Sequence, residues 1–363
     1  MAVLFIVNQS VNSTCGRRIR NFTKYFHNTI DYKILYRDNK NKIKSTFCFI
    51  YEIIKYKPKI VYVEQIAYSG CIAAILAKLF LRVKYIFCVS DAYAELIKTH
   101  HNMLIVFFAK IVEKWWLNSA DFLLTCNPLH ASLLKRKEKK YIVDYIEHGV
   151  DINAFKSSKE KNLCYQLGLK DCLVVGVVGS LKWSKRYRFC YGWDIVEALR
   201  YLKDLNIKAL IIGSGSGSPH LKEVVKEYDL QEKVIFTGAV PYEQIAKYIN
   251  CMDVCVSTQS NDLVGYVRCP TKLSEYMACG KYIISTNVGY ATLYGDKVGT
   301  LLPYKDVKDN SYPRRLAEHI RHLYFNRGLL QKGQNGREIA EEKLDNRVLS
   351  KKLETILLDM INH

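Results

Sequence analysis

The sequence predicts an α/β chain of two Rossmann-like domains, each a doubly wound parallel sheet, and three observations carry this reading. Short β-branched or aromatic runs alternate with amphipathic stretches through the first half. The alternation then begins afresh at 173–179, Leu-Val-Val-Gly-Val-Val-Gly, a continuous apolar run suited to a strand buried on both faces. The length, 363 residues, is enough for two domains with a core each.

In the first half, strands are predicted at 3–7, 32–36, 59–63, 85–89, 122–125 and 141–146, with helices at 17–27, 45–56, 69–81, 103–118 and 129–137. Residues 156–170 carry a Ser-Ser-Lys-Glu-Lys cluster and no apolar period, which marks them as the linker. Second-half strands are expected at 173–179, 208–212, 233–236, 254–257, 282–285 and 300–302, and helices at 191–204, 219–228, 242–250 and 271–279. From 313 to 361 the period is helical only. The domains are therefore expected at 1–155 and 171–346, with 347–363 as a last helix.

Lys plus Arg number 54 against 35 Asp plus Glu, a formal charge of +19 that favours a phosphate-bearing partner: a nucleotide, a nucleic acid or an anionic lipid surface. The basic residues are spread along the chain without a nucleic-acid motif, so nucleic acid is the unexpected partner of the three. The twelve cysteines include no Cys-x-x-Cys pair, and Cys251 and Cys255 have no His or Cys cluster near them, so no metal site is expected. Residues 1–7 are too short and lack the basic start of a signal peptide, which sets the expectation of a reduced, cytoplasmic protein. The longest apolar stretches, 70–81 and 103–111, fall short of the ~20 residues of a membrane span, so any membrane contact is expected to be peripheral.

The most informative stretch runs from Arg268 to Lys281, Arg-Cys-Pro-Thr-Lys-Leu-Ser-Glu-Tyr-Met-Ala-Cys-Gly-Lys. Pro270 suits a first helical turn, Leu273, Met277 and Ala278 form an apolar face, and Gly280 suits a left-handed cap. The free N–H groups of the first turn, around Arg268, Thr271 and Lys272, offer an anion site. Glu275 stands one turn behind that pole.

This stretch resembles the nucleotide-sugar signature of GT-B glycosyltransferases, nearest to glycosyltransferase family 4, in which two Glu stand with seven residues between them. The second falls on Glu275, before Tyr-Met-Ala-Cys-Gly-Lys, whereas the first would fall at Val267. The resemblance implies that Glu275 holds the donor ribose. It extends over 141–286: Glu147 to Phe155 resembles the Asn-Gly-Val-Asp signature before the interdomain linker, with His148 in place of Asn. Gly179, Ser180 and Leu181 stand for the family's Gly-Arg-Leu loop, and Tyr191-Gly192 for its Lys-Gly pair. With the strict pattern altered, Lys182, Lys185, Arg186 and Arg188 are the candidate grip on the donor diphosphate, a solvated loop being the alternative. Gly213 opens a Gly-Ser-Gly-Ser-Gly turn where the family borders the base and ribose, a plain flexible turn being the alternative, and Ala239 lies in Phe236 to Val240, which resembles the family's Phe-x-Gly-x-Val strand end, whose backbone contacts the base in that family.

In the first domain, Gly16 and Arg17, with Arg18 and Arg20, lie where the family's glycine-rich loop faces the cleft; helix arginines turned to solvent are the alternative. Asp91 follows the 85–89 strand where related enzymes meet the transferred sugar or the acceptor hydroxyl, a helix N-cap being the bland reading. His100 and His101 read as surface, and His148 as part of the linker turn. The implied protein is a GT-B enzyme, two Rossmann-like domains facing across a cleft, with its last helix crossing back to the first domain. It would move a sugar from a nucleoside diphosphate sugar to a glycan, lipid-linked glycan or protein acceptor; the resemblance implies that it does so with retention and without metal or cofactor, and no Asp-x-Asp is present to argue otherwise. A nucleotide-sugar epimerase of the same fold and a basic nucleic-acid-binding protein are the alternatives. An anionic membrane is a candidate partner: the Arg17, Arg18, Arg20 and Lys24 helix and the aromatics Phe107, Phe108, Trp115 and Trp116 would form its docking surface, unless these rings are core.

Overall fold

The structure, a computed structural model, describes residues 2–27, 30–37, 41–65, 68–98, 101–138 and 140–362. Contacts divide it into two compact units, one of residues 1–149, 267–269 and 344–363, the other of 150–266 and 270–343.

The first unit runs β1 (Ala2–Val7), α1 (Thr14–Thr23), β2 (Asp31–Tyr36), α2 (Lys42–Tyr56), β3 (Ile60–Glu64), α3 (Tyr68–Leu81), β4 (Lys84–Cys88), α4 (Tyr93–Ile97), α5 (Met103–Ser119), β5 (Phe122–Thr125), α6 (Pro128–Lys137) and β6 (Val143–Tyr145). The strands form one parallel sheet in the order β2-β1-β3-β4-β5-β6. Asparagines start three of its helices: the side chain of Asn41 accepts from Ile43 N and Lys44 N, Asn102 from Ile105 N, and Asn127 from Leu129 N. Lys57, at φ 49°, ends α2 before Pro58.

The second unit runs α7 (Lys161–Gln166), β7 (Leu173–Val178), α8 (Trp193–Leu199), β8 (Ile207–Ile212), α9 (Ser218–Glu227), β9 (Val234–Gly238), α10 (Ile245–Asn250), β10 (Val254–Ser257), α11 (Leu263–Val267, its last residue counted with the first unit), α12 (Thr271–Ala278), β11 (Tyr282–Thr286), α13 (Gly295–Val298), β12 (Gly299–Leu302), α14 (Tyr312–Phe325) and α15 (Asn335–Ile339). Its sheet is parallel in the order β12-β11-β10-β7-β8-β9. The order reverses between β7 and β10, so the carboxyl ends of those two strands bound the crevice where open α/β sheets take ligands. Five of the six β7 residues are buried, as its unbroken apolar run requires.

The last helix, α16 (Asn346–Asn362), belongs to the first unit and packs on α1. Ser350 Oγ donates to Phe22 O at 2.7 Å, Glu354 accepts from His27 N at 2.9 Å, and Lys84 Nζ donates to Met360 O at 2.8 Å. A Cβ on Gly149 would come within 2.3 Å of Asn346 Oδ1, which accounts for the glycine between His148 and Val150.

The predicted strands all occur. The helices α4, α7, α11 and α13 were not predicted, since elements of about one turn carry too little period to register; α7 lies inside the stretch read as linker.

Candidate functional site

Helix α12 is anchored from inside the second unit: Val178 N, at the end of β7, donates to the Tyr276 hydroxyl at 2.8 Å. Leu273 and Met277 are buried beside it, and Gly280, at φ 65°, ends the helix with Gly280 N donating to Met277 O and Lys281 N to Tyr276 O. Pro270 precedes the first turn and makes no side-chain cap. This anchoring fixes which residues the opposite face presents.

Lys272 lies in the first turn and Glu275 one turn on, and both are buried. The Lys272 ammonium stands over the Tyr191 ring, 3.6 Å from its centroid, and 3.1 Å from where a Cβ on Gly179 would be. The helix start, an ammonium and the backbone at the end of β7 therefore meet at the reversal of strand order. Such a place suits an anion: the N–H groups of a first turn and a desolvated ammonium carry positive charge with little reorganisation. Tyr191 stands where the resemblance expects Lys and, as a ring beneath a lysine from another element, was missed by the sequence reading. Gln259 Nε2 donates to its hydroxyl at 3.2 Å.

The glycine turn after β8 is no plain flexible turn. Leu181 N donates to Ser214 O at 3.0 Å, Gly217 N to Leu181 O at 2.7 Å and Gly213 N to Gly238 O at 2.9 Å, so the loops after β7, β8 and β9 are laced together. Gly213, at φ 131°, brings its α-carbon so close to Gly179 O that an added Cβ would lie 1.9 Å from it. Ser180 and Ala239 are exposed on this rim, and Thr271 is half-buried at the start of α12.

Lys185 and Arg186 are exposed in a short hairpin closed by the Ser184–Phe189 bridge, and Arg186 lies over the Tyr187 ring. The basic group set against Gly179 is Lys272, not one from this hairpin. Val267 is wholly buried, so the position of the family's first Glu is an apolar core site here.

The first unit brings together two residues that the sequence reading had assigned separately. Arg268 Nε lies 3.1 Å from Asp91 Oδ1, and Asn127 Nδ2 donates to Arg268 O at 3.2 Å. The N-cap reading of Asp91 does not hold. Glu113 accepts from Tyr93 N at 2.8 Å and Ala94 N at 3.2 Å, so another carboxylate caps α4.

After β1, Gly16 N donates to Ser13 Oγ at 3.0 Å and the Arg17 guanidinium donates to Asn12 O, so both groups are engaged within their own loop. Arg18 is corrected on both readings, phosphate grip and solvent-facing residue alike. It is buried, 2.9 Å from Glu64, and donates to Ile146 O at 2.7 Å, tying the end of β3 to the residue that follows β6. A buried arginine needs such a partner, because an unpaired charge there costs several kcal/mol. His148 is buried, His101 is exposed, and His100 lies outside the described residues.

Residues 172–326 match the family model described as glycosyl transferases group 1. The chain is similar to the putative teichuronic acid biosynthesis glycosyltransferase TuaH of Bacillus subtilis, 24% identical over 223 residues, which cover 59% of this chain and 53% of TuaH. The chain spans about half the length of the curated relatives it matches. Among solved structures it resembles sucrose-phosphate synthase from Thermosynechococcus elongatus, with a TM-score of 0.80 at 16% identity over 100% of this chain and 99% of that one. It also resembles Anabaena HepE in complex with UDP-glucose, TM-score 0.77 at 15% identity, covering 99% of this chain and 100% of the other. At such identity these likenesses bear on the fold alone.

Proposed function

We propose that this chain, which has the GT-B fold and carries a group 1 glycosyl transferase domain over residues 172–326, transfers a sugar from a nucleoside diphosphate sugar to an acceptor. The observation that carries the reading is the meeting of Lys272, Gly179 and the start of α12, with Glu275 buried one turn behind. A leaving nucleoside diphosphate gains negative charge on the oxygen that parts from the sugar. An ammonium and first-turn N–H groups oppose that charge where water is sparse, the work a metal ion does in other transferases.

Glu275 accepts hydrogen bonds from the ribose hydroxyls, and Gly213 and Ala239 border the nucleoside. The laced glycine loops support this, because the close packing of Gly213 on Gly179 O sets the loop after β8 beside the backbone that Lys272 approaches. TuaH is named a glycosyltransferase and HepE was solved with UDP-glucose, which supports the donor class. The second unit is read as the donor domain and the first as the acceptor domain, with a glycan or lipid-linked glycan as acceptor. Asp91, held by Arg268, is the group read as meeting the transferred sugar or the acceptor hydroxyl.

A thermal-shift screen of nucleoside diphosphates identifies the base, since a ligand bound only by the folded state raises its melting point. Glu275→Ala then weakens the chosen diphosphate by about 1.5–3 kcal/mol, the range for hydrogen bonds to a charged group. Unchanged affinity in the folded variant would remove Glu275 from the site.

A further inference from the structure

The outer faces of three helices in the first unit are apolar and exposed. α5 turns Val106, Ala109 and Trp116 inward, the Trp116 ring lying 5.1 Å from that of Tyr68. Outward it shows Met103, Leu104, Phe107, Phe108, Ile111 and Trp115, each at least 50% exposed. α2, packed on α3, exposes Ile43, Phe47 and Tyr51 at intervals of four residues, and α3 ends in exposed Leu79 and Phe80. The inward residues Phe49, Ala74 and Trp116 of the three helices join one core with Leu4, Val63 and Phe87, so all three cover the same face of the sheet. Lys78 Nζ, which donates to Ser119 O at 2.9 Å and lies 2.7 Å from Asp121, ties the end of α3 to the end of α5.

Apolar patches of this extent are uncommon on soluble monomers and mark interaction surfaces. The charge around this one is positive. Lys42, Lys44, Lys55, Lys57 and Lys59 are exposed along and just beyond α2, where Glu52 is the single acid from 41 to 60 and is held by Lys33 at 2.6 Å. Arg82 follows α3, and Lys135, Arg136 and Lys137 form the exposed last turn of α6. The one acid of α5, Glu113, is turned toward the backbone of α4.

We propose that this face docks the protein on an anionic lipid bilayer, with α5 lying in the plane of the interface and the α2 lysines meeting lipid phosphates. A second copy fits less well, because a two-fold contact would bring two copies of the same positively charged surface together. At 17 residues α5 is about 25 Å long, and among the described residues no helix is long and apolar enough to cross a membrane. It is an interfacial helix, with aromatic rings and aliphatic side chains on one side and cations beside them. The surface differs from the one the sequence suggested. α1 packs with α16 away from this core, Arg18 and Trp116 are buried, and α2 and α3 take the place of the α1 basic residues.

The test uses the full chain without donor or acceptor, so its failure leaves the transferase reading standing. Phosphatidylglycerol-containing and pure phosphatidylcholine vesicles are sedimented with the protein at low and high salt, and Trp emission is followed. Binding to the anionic vesicles at low salt, with a blue shift lost in Trp115→Phe, is expected. Phe107→Ser with Phe108→Ser, and separately Lys42→Glu with Lys44→Glu, lower the partition coefficient by about tenfold or more, the lysine pair chiefly at low salt. These side chains are exposed, so the circular dichroism melt should not move. No preference for anionic vesicles at low salt, or full binding by both double variants, overturns the proposal. A vesicle-free dimer that becomes monomeric in the phenylalanine variant would assign the face to a second copy and overturn it equally.

Discussion

Replacing Lys272 by Met keeps most of the stem and removes the charge, and so separates binding from folding. In the absence of ligand the ammonium is buried over Tyr191, 3.6 Å from the ring centroid. Its loss forfeits a cation–π contact of about 0.5–2 kcal/mol and relieves the desolvation of a buried cation, a term of opposite sign and at least equal size. The melting temperature should therefore hold or rise, at roughly 2–4 °C per kcal/mol for a unit of this size. With a nucleoside diphosphate bound, the variant loses a charge-assisted hydrogen bond of about 1.5–3 kcal/mol, a weakening of about tenfold to somewhat over a hundredfold. Titration calorimetry at fixed salt, with the diphosphate and the bare nucleoside side by side, reads the difference. Only the diphosphate should weaken. Equal losses for both ligands, or a large fall in melting temperature with unchanged affinity, would make Lys272 a structural residue and refute the anion site.

Two further outcomes follow from the second unit. Gly213→Ala places a Cβ 1.9 Å from Gly179 O at a backbone φ of 131°, so strain and overlap together should destabilise by about 2–5 kcal/mol in a urea melt; Gly328→Ala, whose Cβ meets nothing within 4 Å, is the control and should change little. Burial pushes the Asp194 carboxyl up to about 7, against an opposing hydrogen bond from Thr258, while the unfolded chain titrates near 3.8. Because the folded value is the higher one, stability is full below pH ~4 and declines as pH rises through about 7, by at most about 4 kcal/mol at ~1.4 kcal/mol per pH unit. Asp194→Asn should flatten that decline and be the more stable form at pH 8; parallel melting curves for the two proteins from pH 5 to 8 would refute the assignment.

What the sequence disclosed was local, and what it withheld was long-range. The Leu173–Val178 strand was legible because a strand buried on both faces needs no alternation, and the end of α12 because only glycine takes φ 65° there without strain. Glu275 was legible from the run that follows it. Tyr191 beneath Lys272 was not, since the two are 81 positions apart and neither residue type implies the other. Arg18 and Glu64 are a buried pair separated by 46 positions, and a run of arginines at a helix start gave no sign of which one turns inward. The exposed face of α5 was legible only in part: Phe107, Phe108 and Trp115 were candidates for it, but buried Trp116 was grouped with them. The apolar residues of α5 surround the helix, so the period that normally sorts inside from outside was absent, and only the packing of Trp116 and Val106 decides which side is covered.

The place of α16 in the first unit also sets an order of events during synthesis. Leu349, Leu353 and Leu357 are buried on this helix, Ser350 holds the end of α1, and Lys84 reaches its last turn. The ribosome makes β1 to β6 first, then roughly two hundred residues that build the other unit, and only then the helix that covers α1. At about 5–20 residues per second that gap lasts on the order of 10–40 s. Throughout it α1 lacks the helix that covers it, so a chaperone that shields apolar surface has a defined place and a defined interval in which to act, and the unit synthesised second is complete before the one begun first.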